Sequence, residues 1–254
     1  MSNLIPVEEL KNSDFKEILC YPKFTDLEFE KRLKELKNLG IVSFEVGGEK
    51  KVGKFSVLGK GHASIVVKVT GTNGKHYALK IRRVDATKPD LTHESEILKK
   101  VNRVGVGAKI FKATKNFILL ELVEDEPLPR WIENLKNKNG KTRLENVLKQ
   151  ILTQCFMLDM IGIDHGELSR ATKHVLVSKT DKPYLVDFGK ASNKRKISNL
   201  TSICQYLFIR GGLPKKIEAI LGKVDKQKLV EDLKVYKRKP CERNFQKILE
   251  TLKL

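Results

Sequence analysis

Residues 59–80 read GKGHASIVVKVTGTNGKHYALK, and this stretch decides the fold. It opens with a glycine-containing turn at Gly59, and the apolar runs 64–69 and 76–82 on either side of a second turn predict two strands. Glycines in such a turn let backbone N–H groups approach phosphate oxygens without a Cβ in the way. The second strand carries Lys80, one hairpin beyond the glycines, where its cation could reach the same phosphates.

Two further motifs follow in the C-terminal half. Residues 165–169 read HGELS, and residues 187–189 read DFG directly after a short apolar strand. Together with the glycine turn, Lys80 and a glutamate on the next predicted helix, these two motifs occur in the same order as the motifs of the protein kinase signature. Over residues 51–210 the chain therefore resembles the protein kinase-like superfamily. Its HGELS loop is similar to that of the atypical, RIO-like branch and of a group of predicted archaeal serine/threonine kinases.

The resemblance implies an α+β, bilobal protein kinase-like fold. We expect a β-rich N-lobe over residues 51–123 and a reduced helical C-lobe with basic C-terminal helices over residues 124–254. Only 65 residues follow Gly189, without an Ala-Pro-Glu motif, so the usual activation segment is expected to be absent.

Residues 1–50 are predicted to be an N-terminal extension. A charged helix ending at Gly40 is followed by a strand at 42–46, a glycine turn, and a strand at 52–58. This order resembles the end of a winged helix. A helical extension packed on the following domain is the alternative reading.

The resemblance also implies the roles of individual residues. Lys80 would hold the α- and β-phosphates of ATP, and Glu94 would position Lys80. Glu94 is preferred to Glu96 because two apolar residues then follow at the spacing usual in kinases. Glu167 would be the base, and Asp187 would bind Mg²⁺.

An ATP site follows from the same resemblance. Glu121 and Val123, after the strand that ends near residue 120, would form the hinge that reads the adenine edge, and Ala78 would line the roof of the site. Ser64 replaces the third loop glycine. The residues expected to contact ATP are Gly59, Lys60, Gly61, Ser64, Val66, Ala78, Lys80, Glu121, Val123 and Asp187.

Two departures from the kinase pattern concern the catalytic loop. Glu167 stands where an aspartate is usual, and a glutamate differs only by one methylene of reach. Counting from Glu167 puts Thr172 at the metal-binding asparagine position, whereas anchoring on the strand at 175–177 puts His174 there. We favour His174 and so expect Asp187 and His174 as the metal ligands, although a histidine is a poor magnesium ligand. Ser169, Arg170 and Lys173 are further candidates for contact with the γ-phosphate.

Composition and charge limit the class of protein. The 254 residues are 40% hydrophobic and 32% charged, which is typical of a globular chain. Four widely spaced cysteines, no signal peptide and no long apolar run predict a cytoplasmic protein without a membrane partner. The net charge of +19 lies outside the first 50 residues, and residues 190–254 alone hold 17 basic and 6 acidic side chains. An RNA or ribosomal partner and a lysine-rich solvated surface both fit that surplus.

These observations lead to one functional hypothesis and its alternatives. We expect an ATP- and Mg²⁺-dependent phosphotransferase, most similar to a serine/threonine protein kinase with a protein substrate. A small-molecule phosphotransferase is a rival among enzymes, but the large helical insertions of that class are missing. An ATP-hydrolysing, RNA- or ribosome-associated switch with little kinase activity is the rival from another class.

Overall fold

The computed structural model describes residues 4–135 and 139–254. They form a mixed α+β protein with a β-sheet part and a helical part. The chain divides into two compact units, of which the first comprises Met1–Lys99 and Ala108–Val123, and the second Lys100–Gly107 and Glu124–Leu254.

The first unit is built on a large antiparallel sheet. In chain order its elements are β1 (Leu4–Pro6), a 3₁₀ turn (Val7–Asn12), α1 (Lys16–Leu19), α2 (Asp26–Leu39), β2 (Ile41–Glu45), β3 (Lys50–Val52), β4 (Phe55–Val57), β5 (Gly59–Lys60), β6 (Ser64–Gly71), β7 (His76–Arg82), α3 (Thr92–Arg103, whose end belongs to the second unit), β8 (Ile110–Ala113) and β9 (Phe117–Glu121). The sheet order is β1-β2-β6-β7-β9-β8, with β5 also paired to β6. β3 and β4 form a separate hairpin.

Alternation along the strands gives the sheet two different faces. One face is buried in a core shared with the N-terminal helices, as Val67 on β6, Leu79 on β7 and Leu119 on β9 illustrate. Since side chains alternate along a strand, Val66 and Lys80 lie on the opposite face. The N-terminal segment therefore covers one face of the sheet and leaves Lys80 on the other.

Helix α2 is held to the sheet by a buried arginine. The Thr25 hydroxyl caps the start of the helix by accepting a hydrogen bond from the Glu28 N–H, and Gly40, with φ of 74°, ends it. Arg32 is fully buried, and its guanidinium donates to the backbone carbonyl oxygens of Leu19 and Arg82 at 2.5 and 2.6 Å. This one side chain thus ties the N-terminal helices to strand β7.

The same guanidinium has two further partners. It pairs with Glu28 at 2.7 Å and donates to the Asn116 side-chain oxygen at 3.2 Å. A buried charge is tolerated only when it is paired and hydrogen-bonded, and Arg32 meets both conditions.

The predicted hairpin between residues 42–46 and 52–58 is wrong. β2 pairs with β1 on one side and with β6 on the other, so it belongs to the large sheet. The second predicted strand is divided into β3 and β4 by a turn at Gly53, which has a φ of 55°. The pairing of a winged-helix hairpin is therefore not formed, because β2 buries Ile41 and Phe44 in the core of the first unit. Residue 50 accordingly lies inside this unit.

The second unit is mainly helical. Its elements are β10 (Asp125–Pro127), α4 (Leu128–Glu133), α5 (Gly140–Met160), a 3₁₀ segment (Leu168–Lys173), β11 (Val175–Ser178), β12 (Pro183–Leu185), a 3₁₀ turn (Phe188–Lys190), α6 (Asn199–Cys204), a π-helical turn (Gln205–Ile209), α7 (Leu213–Leu221), α8 (Lys226–Arg238) and α9 (Glu242–Leu252). β10, β11 and β12 form a small antiparallel sheet in that order.

The core of the second unit surrounds helix α5. Phe156 of α5 stacks on Phe245 of α9, with ring centroids 4.6 Å apart. Trp131 of α4 is buried and donates its indole N–H to Asp181 at 3.2 Å, which anchors α4 to the turn between β11 and β12. None of the helices within residues 4–135 and 139–254 has both the length and the apolar character that a bilayer crossing requires.

Candidate functional site

The glycine turn lies between β5 and β6 in the first unit. Gly59 pairs with Val66 across these strands. The Gly61 N–H donates to the Ser64 carbonyl oxygen at 2.8 Å, which closes the turn. Lys60 and Gly61 are exposed whereas Ser64 is buried. The turn therefore presents exposed backbone at the end of the two strands.

A tyrosine from the N-terminal segment holds this turn. The Lys60 ammonium lies 5.2 Å from the centroid of the Tyr21 ring, and the Arg83 guanidinium lies 5.0 Å from it. Arg83 also donates to the carbonyl oxygens of Ala63 at 2.9 Å and Gly61 at 3.1 Å. Cation–π contacts of this kind each contribute on the order of 0.5–1 kcal/mol at exposed sites, so Tyr21 helps to order the turn.

Lys80 and Glu94 form a buried ion pair. Lys80 lies on β7 opposite Val66 of β6, and Glu94 lies in the first turns of α3. Their Nζ and Oε1 atoms are 2.5 Å apart, and the two residues are 6% and 5% exposed. Val66 and Ala78 share this face of the sheet with Lys80. The structure therefore brings the predicted lysine and glutamate together and places two of the predicted ATP-contacting residues on the same face of the sheet.

The predicted hinge residues end the first unit. Glu121 is the last residue of β9, and its backbone N–H donates to the Lys109 carbonyl oxygen at 2.8 Å. Its carboxylate accepts from the Lys109 N–H at 3.1 Å. The Glu121 N–H is therefore used within the sheet and does not also read a base. Val123 is half-buried at the end of the unit.

Strands β11 and β12 of the second unit bring three predicted site residues together. β11 begins directly after His174, and β12 ends two residues before Asp187. The Val186 N–H donates to the His174 carbonyl oxygen at 3.0 Å, which extends the pairing of the strands and sets His174 beside Asp187. Ligand atoms of Glu167, His174 and Asp187 lie within 4.8 Å of one another. Thr172 instead accepts a hydrogen bond from the Tyr206 hydroxyl at 3.3 Å.

The donor set of this cluster fits a divalent cation in part. Asp187 and Glu167 offer carboxylate oxygens, which Mg²⁺ prefers, whereas His174 offers an imidazole nitrogen, which suits Mg²⁺ less. Asp187 has a φ of 65°, a left-handed conformation that aspartate tolerates better than most residues. Such backbone conformations are common at functional sites.

A lysine that the sequence analysis did not single out contacts Glu167. The Lys190 ammonium lies 2.8 Å from Glu167 Oε1, and its side chain is 70% exposed. The hydrogen bond with Glu167 raises the pKa of Lys190, so this lysine stays charged. Arg170 and Lys173, which were candidates for phosphate contact, are exposed on the 3₁₀ segment. Only its position three residues after Asp187 could have drawn attention to Lys190.

His165 supports the loop that carries Glu167. Its Nε2–H donates to the Val186 carbonyl oxygen at 3.1 Å, and its ring packs on Phe188 with centroids 4.8 Å apart. Within the part of the chain that the structure describes, His165 Nδ1 is buried without a hydrogen-bond partner. Burial lowers the pKa of His165 from 6.5 to about 4, because a proton on Nδ1 would bury a charge with no acceptor. His165 is therefore a neutral structural support.

A polar cavity opens beside Glu167. Its volume is about 240 Å³, and it is lined by Asp164, Gly166, Leu168, Ser169, Arg195, Ser198, Asn199 and Ser202. Arg195 pairs with the buried carboxylate of Asp164 at 2.6 Å. A Cβ on Gly166 would lie 2.3 Å from the Arg195 guanidinium, and Gly166 has a φ of 87°. The positive φ therefore favours glycine here, whereas the end of the flexible Arg195 side chain could move to admit a Cβ.

The fold and these side chains define an α+β protein with a buried lysine–glutamate pair on a sheet face and an acidic, histidine-containing cluster on a helical unit. No protein-family model matches the chain. Over 121 residues the chain is 31% identical to Uncharacterized protein MJ1211 of Methanocaldococcus jannaschii, and the alignment covers 47% of this chain and 99% of that protein. The chain belongs to the same family as this archaeal protein. That protein's name states no activity, so the chemistry must be argued from the residues.

Proposed function

We propose that this protein is an ATP- and Mg²⁺-dependent phosphotransferase with a bilobal protein kinase-like fold. Its acceptor would be a serine or threonine hydroxyl of a protein substrate. The first unit would be the N-lobe and the second unit the reduced C-lobe. The mixed α+β architecture is compatible with this fold, and the site residues are the reason for proposing it.

The buried Lys80–Glu94 pair is the observation that carries the proposal. Removing two charges from water costs several kcal/mol for each ion, and a hydrophobic pair of similar volume is often at least as stable. The pair is therefore best explained by a use for the Lys80 ammonium. At 2.5 Å, Glu94 holds that ammonium in one position on the sheet face, which is what a lysine needs to receive phosphate oxygens.

The glycine turn and the sheet face supply the rest of the nucleotide site. Backbone N–H groups of residues 59–61 would approach the phosphates, helped by the Lys60 cation. Val66 and Ala78 would contact the adenine ring, and the segment Glu121–Val123 would meet its edge. These groups share the face or the rim of the same sheet, so one nucleotide could use all of them.

Glu167 and Asp187 divide the remaining roles. Asp187 would hold Mg²⁺, which would supply positive charge to neutralise phosphate. His174 would complete the site as a weak ligand or as a neutral wall. Glu167 would orient the acceptor hydroxyl and take its proton. Lys190 keeps a positive charge beside Glu167, where it would face the charge that develops on the transferring group.

Catalysis by Glu167 is tested by two substitutions and a control. With ³²P-labelled ATP, Glu167→Gln should leave nucleotide affinity nearly unchanged and lower turnover by on the order of 10² or more. Asp187→Asn should weaken Mg²⁺-dependent nucleotide binding as well as turnover, because a charged ligand is lost. Glu250→Gln, on the exposed surface of α9, should change neither. Full turnover in Glu167→Gln would exclude Glu167 as the base.

The positive charge of the C-terminal helices favours a second candidate function. Residues 190–254 hold 17 basic and 6 acidic side chains, and Lys237, Arg238 and Lys239 are exposed at the end of α8. The same nucleotide site would then drive an ATP-hydrolysing, RNA- or ribosome-associated switch. RNA-stimulated release of labelled phosphate without label in protein would favour the switch over the kinase.

The RNA contact itself has a separate test. If about six phosphates are neutralised, RNA affinity should fall by roughly 10³ or more between 50 and 200 mM salt. Replacing Lys237, Arg238 and Lys239 with glutamine should flatten that dependence and spare ATP binding. An unchanged salt dependence would assign the charge to the solvated surface.

A further inference from the structure

A carboxylate lies at the centre of the apolar core of the second unit. Asp159 is on helix α5 and is 4% exposed. It accepts hydrogen bonds from the Asn199 N–H at 3.1 Å, the Asn199 Nδ2 at 2.8 Å and the Leu200 N–H at 3.2 Å. Burial raises the pKa of Asp159 because it disfavours the charged form. In the sequence this residue interrupts an apolar run, which is the signal that could have pointed to it.

Asn199 connects Asp159 by hydrogen bonds to the loop that carries Glu167. Its Oδ1 accepts from the His165 N–H at 2.7 Å, and its Nδ2 also donates to the Ile163 carbonyl oxygen at 2.7 Å. Asn199 is fully buried, so these contacts are protected from water. An amide suits the position because it can donate to Asp159 and accept from His165 at the same time.

The fourth donor to Asp159 comes from a distant element. The Tyr236 hydroxyl, on helix α8, donates to Asp159 Oδ2 at 3.0 Å. Tyr236 is 2% exposed, and its ring packs against Phe156 with centroids 6.4 Å apart. A hydrogen-bonded chain thus runs from Tyr236 through Asp159 and Asn199 to the backbone of His165, two residues before Glu167.

We propose that Tyr236 is a positioning residue for Glu167, acting through Asp159, Asn199 and the backbone of His165. Charge-assisted hydrogen bonds are about twice as strong as neutral ones, and a buried carboxylate that loses a donor must reorganise the donors that remain. The remaining donors include Asn199, which holds the loop. The C-terminal helices would therefore support the site as well as the core. The kinetic part of this proposal rests on the proposed function, whereas the structural part does not.

The primary test is amide hydrogen exchange in Tyr236→Phe. This substitution removes the hydroxyl and keeps the ring that packs on Phe156. Loss of a hydrogen bond to a charged group should speed exchange of the His165 N–H by between about tenfold and a hundredfold. Slow amides on the far side of helix α5 and in the first unit should change much less.

Two other tyrosines provide matched controls. The Tyr206 hydroxyl donates to Thr172 at 3.3 Å near the surface, and the Tyr77 hydroxyl accepts from Asn73 at 2.8 Å in the first unit. Neither Tyr206→Phe nor Tyr77→Phe should alter exchange at His165. Since Phe is a mild replacement, all three variants should fold, and Asp159→Asn provides a stronger perturbation in the same direction.

The kinetic readout separates positioning from general destabilisation. In Tyr236→Phe, kcat should fall by about tenfold while the KM for ATP stays within about twofold, because the nucleotide site lies on other residues. Unchanged exchange at His165, or an equal rise at every slow amide of the unit, would overturn the proposal. Faster exchange at His165 in a protein whose wild type transfers no phosphate would uphold the structural link and reject the phosphotransferase.

Discussion

Lys80→Met removes the cationic half of the buried pair in the first unit and keeps the volume of the side chain. Glu94, 5% exposed, would then be a buried carboxylate without the ammonium that lies 2.5 Å from it. Breaking a buried ion pair on one side costs about 3–5 kcal/mol, and we expect a loss of that size in the free energy of unfolding. Glu94→Met should also lower the free energy of unfolding, because it removes the carboxylate that lies 2.5 Å from the Lys80 ammonium.

The double variant Lys80→Met/Glu94→Met gives the decisive comparison. With both charges removed, stability should return to within about 1 kcal/mol of the wild type, while ATP binding stays lost. Guanidinium chloride unfolding measures the four free energies, and nucleotide titration measures binding. Lys179→Met breaks an exposed pair with Glu124, whose side chains are 80% and 68% exposed, and should cost less than about 1 kcal/mol. If the double variant were as unstable as the less stable of the two single variants, the electrostatic explanation would be refuted.

Three further predictions concern the supports of the two units. Arg32→Met should lower the free energy of unfolding by about 3–5 kcal/mol, because it leaves the acceptors of a buried guanidinium without their donor. In the same denaturation assay, Lys31→Met on the exposed side of the helix should change the free energy of unfolding by less than about 0.5 kcal/mol. The pKa of His165 is about 4 in the folded protein, against 6.5 in the unfolded chain. The contribution of neutral His165 to the free energy of unfolding is therefore complete above pH 6.5 and is lost as the pH falls through 4. That loss amounts to roughly 3 kcal/mol. When the free energy of unfolding is measured as a function of pH, this loss should be absent in His165→Gln. Tyr21→Leu should weaken ATP binding several-fold by releasing the two cations that stack on its ring, and unchanged affinity would remove Tyr21 from the support of the turn.

Local patterns in the sequence determined the strands around the glycine turn and Lys80. Alternating and β-branched residues predicted β6 and β7, and the structure confirms β7 at His76–Arg82. The resemblance to the kinase signature implied the Lys80–Glu94 pair, and the loop between β7 and α3 brings the two residues together. These features depend on neighbours within about 15 residues, so a linear sequence carries them.

Only the tertiary structure decided the partners that lie far apart in the chain. The glycines after β2 predicted a hairpin, but β2 pairs with β1 and β6 and buries Ile41 and Phe44 in the core of the first unit. Counting along the loop left Thr172 and His174 as alternatives, and the pairing of β11 with β12 put His174 beside Asp187. The support of the Glu167 loop joins residues 34, 40 and 77 positions apart. The periodicity of apolar residues indicates which side of a helix or strand is buried. Which distant polar groups form hydrogen bonds with each other is decided only by the packing of the elements.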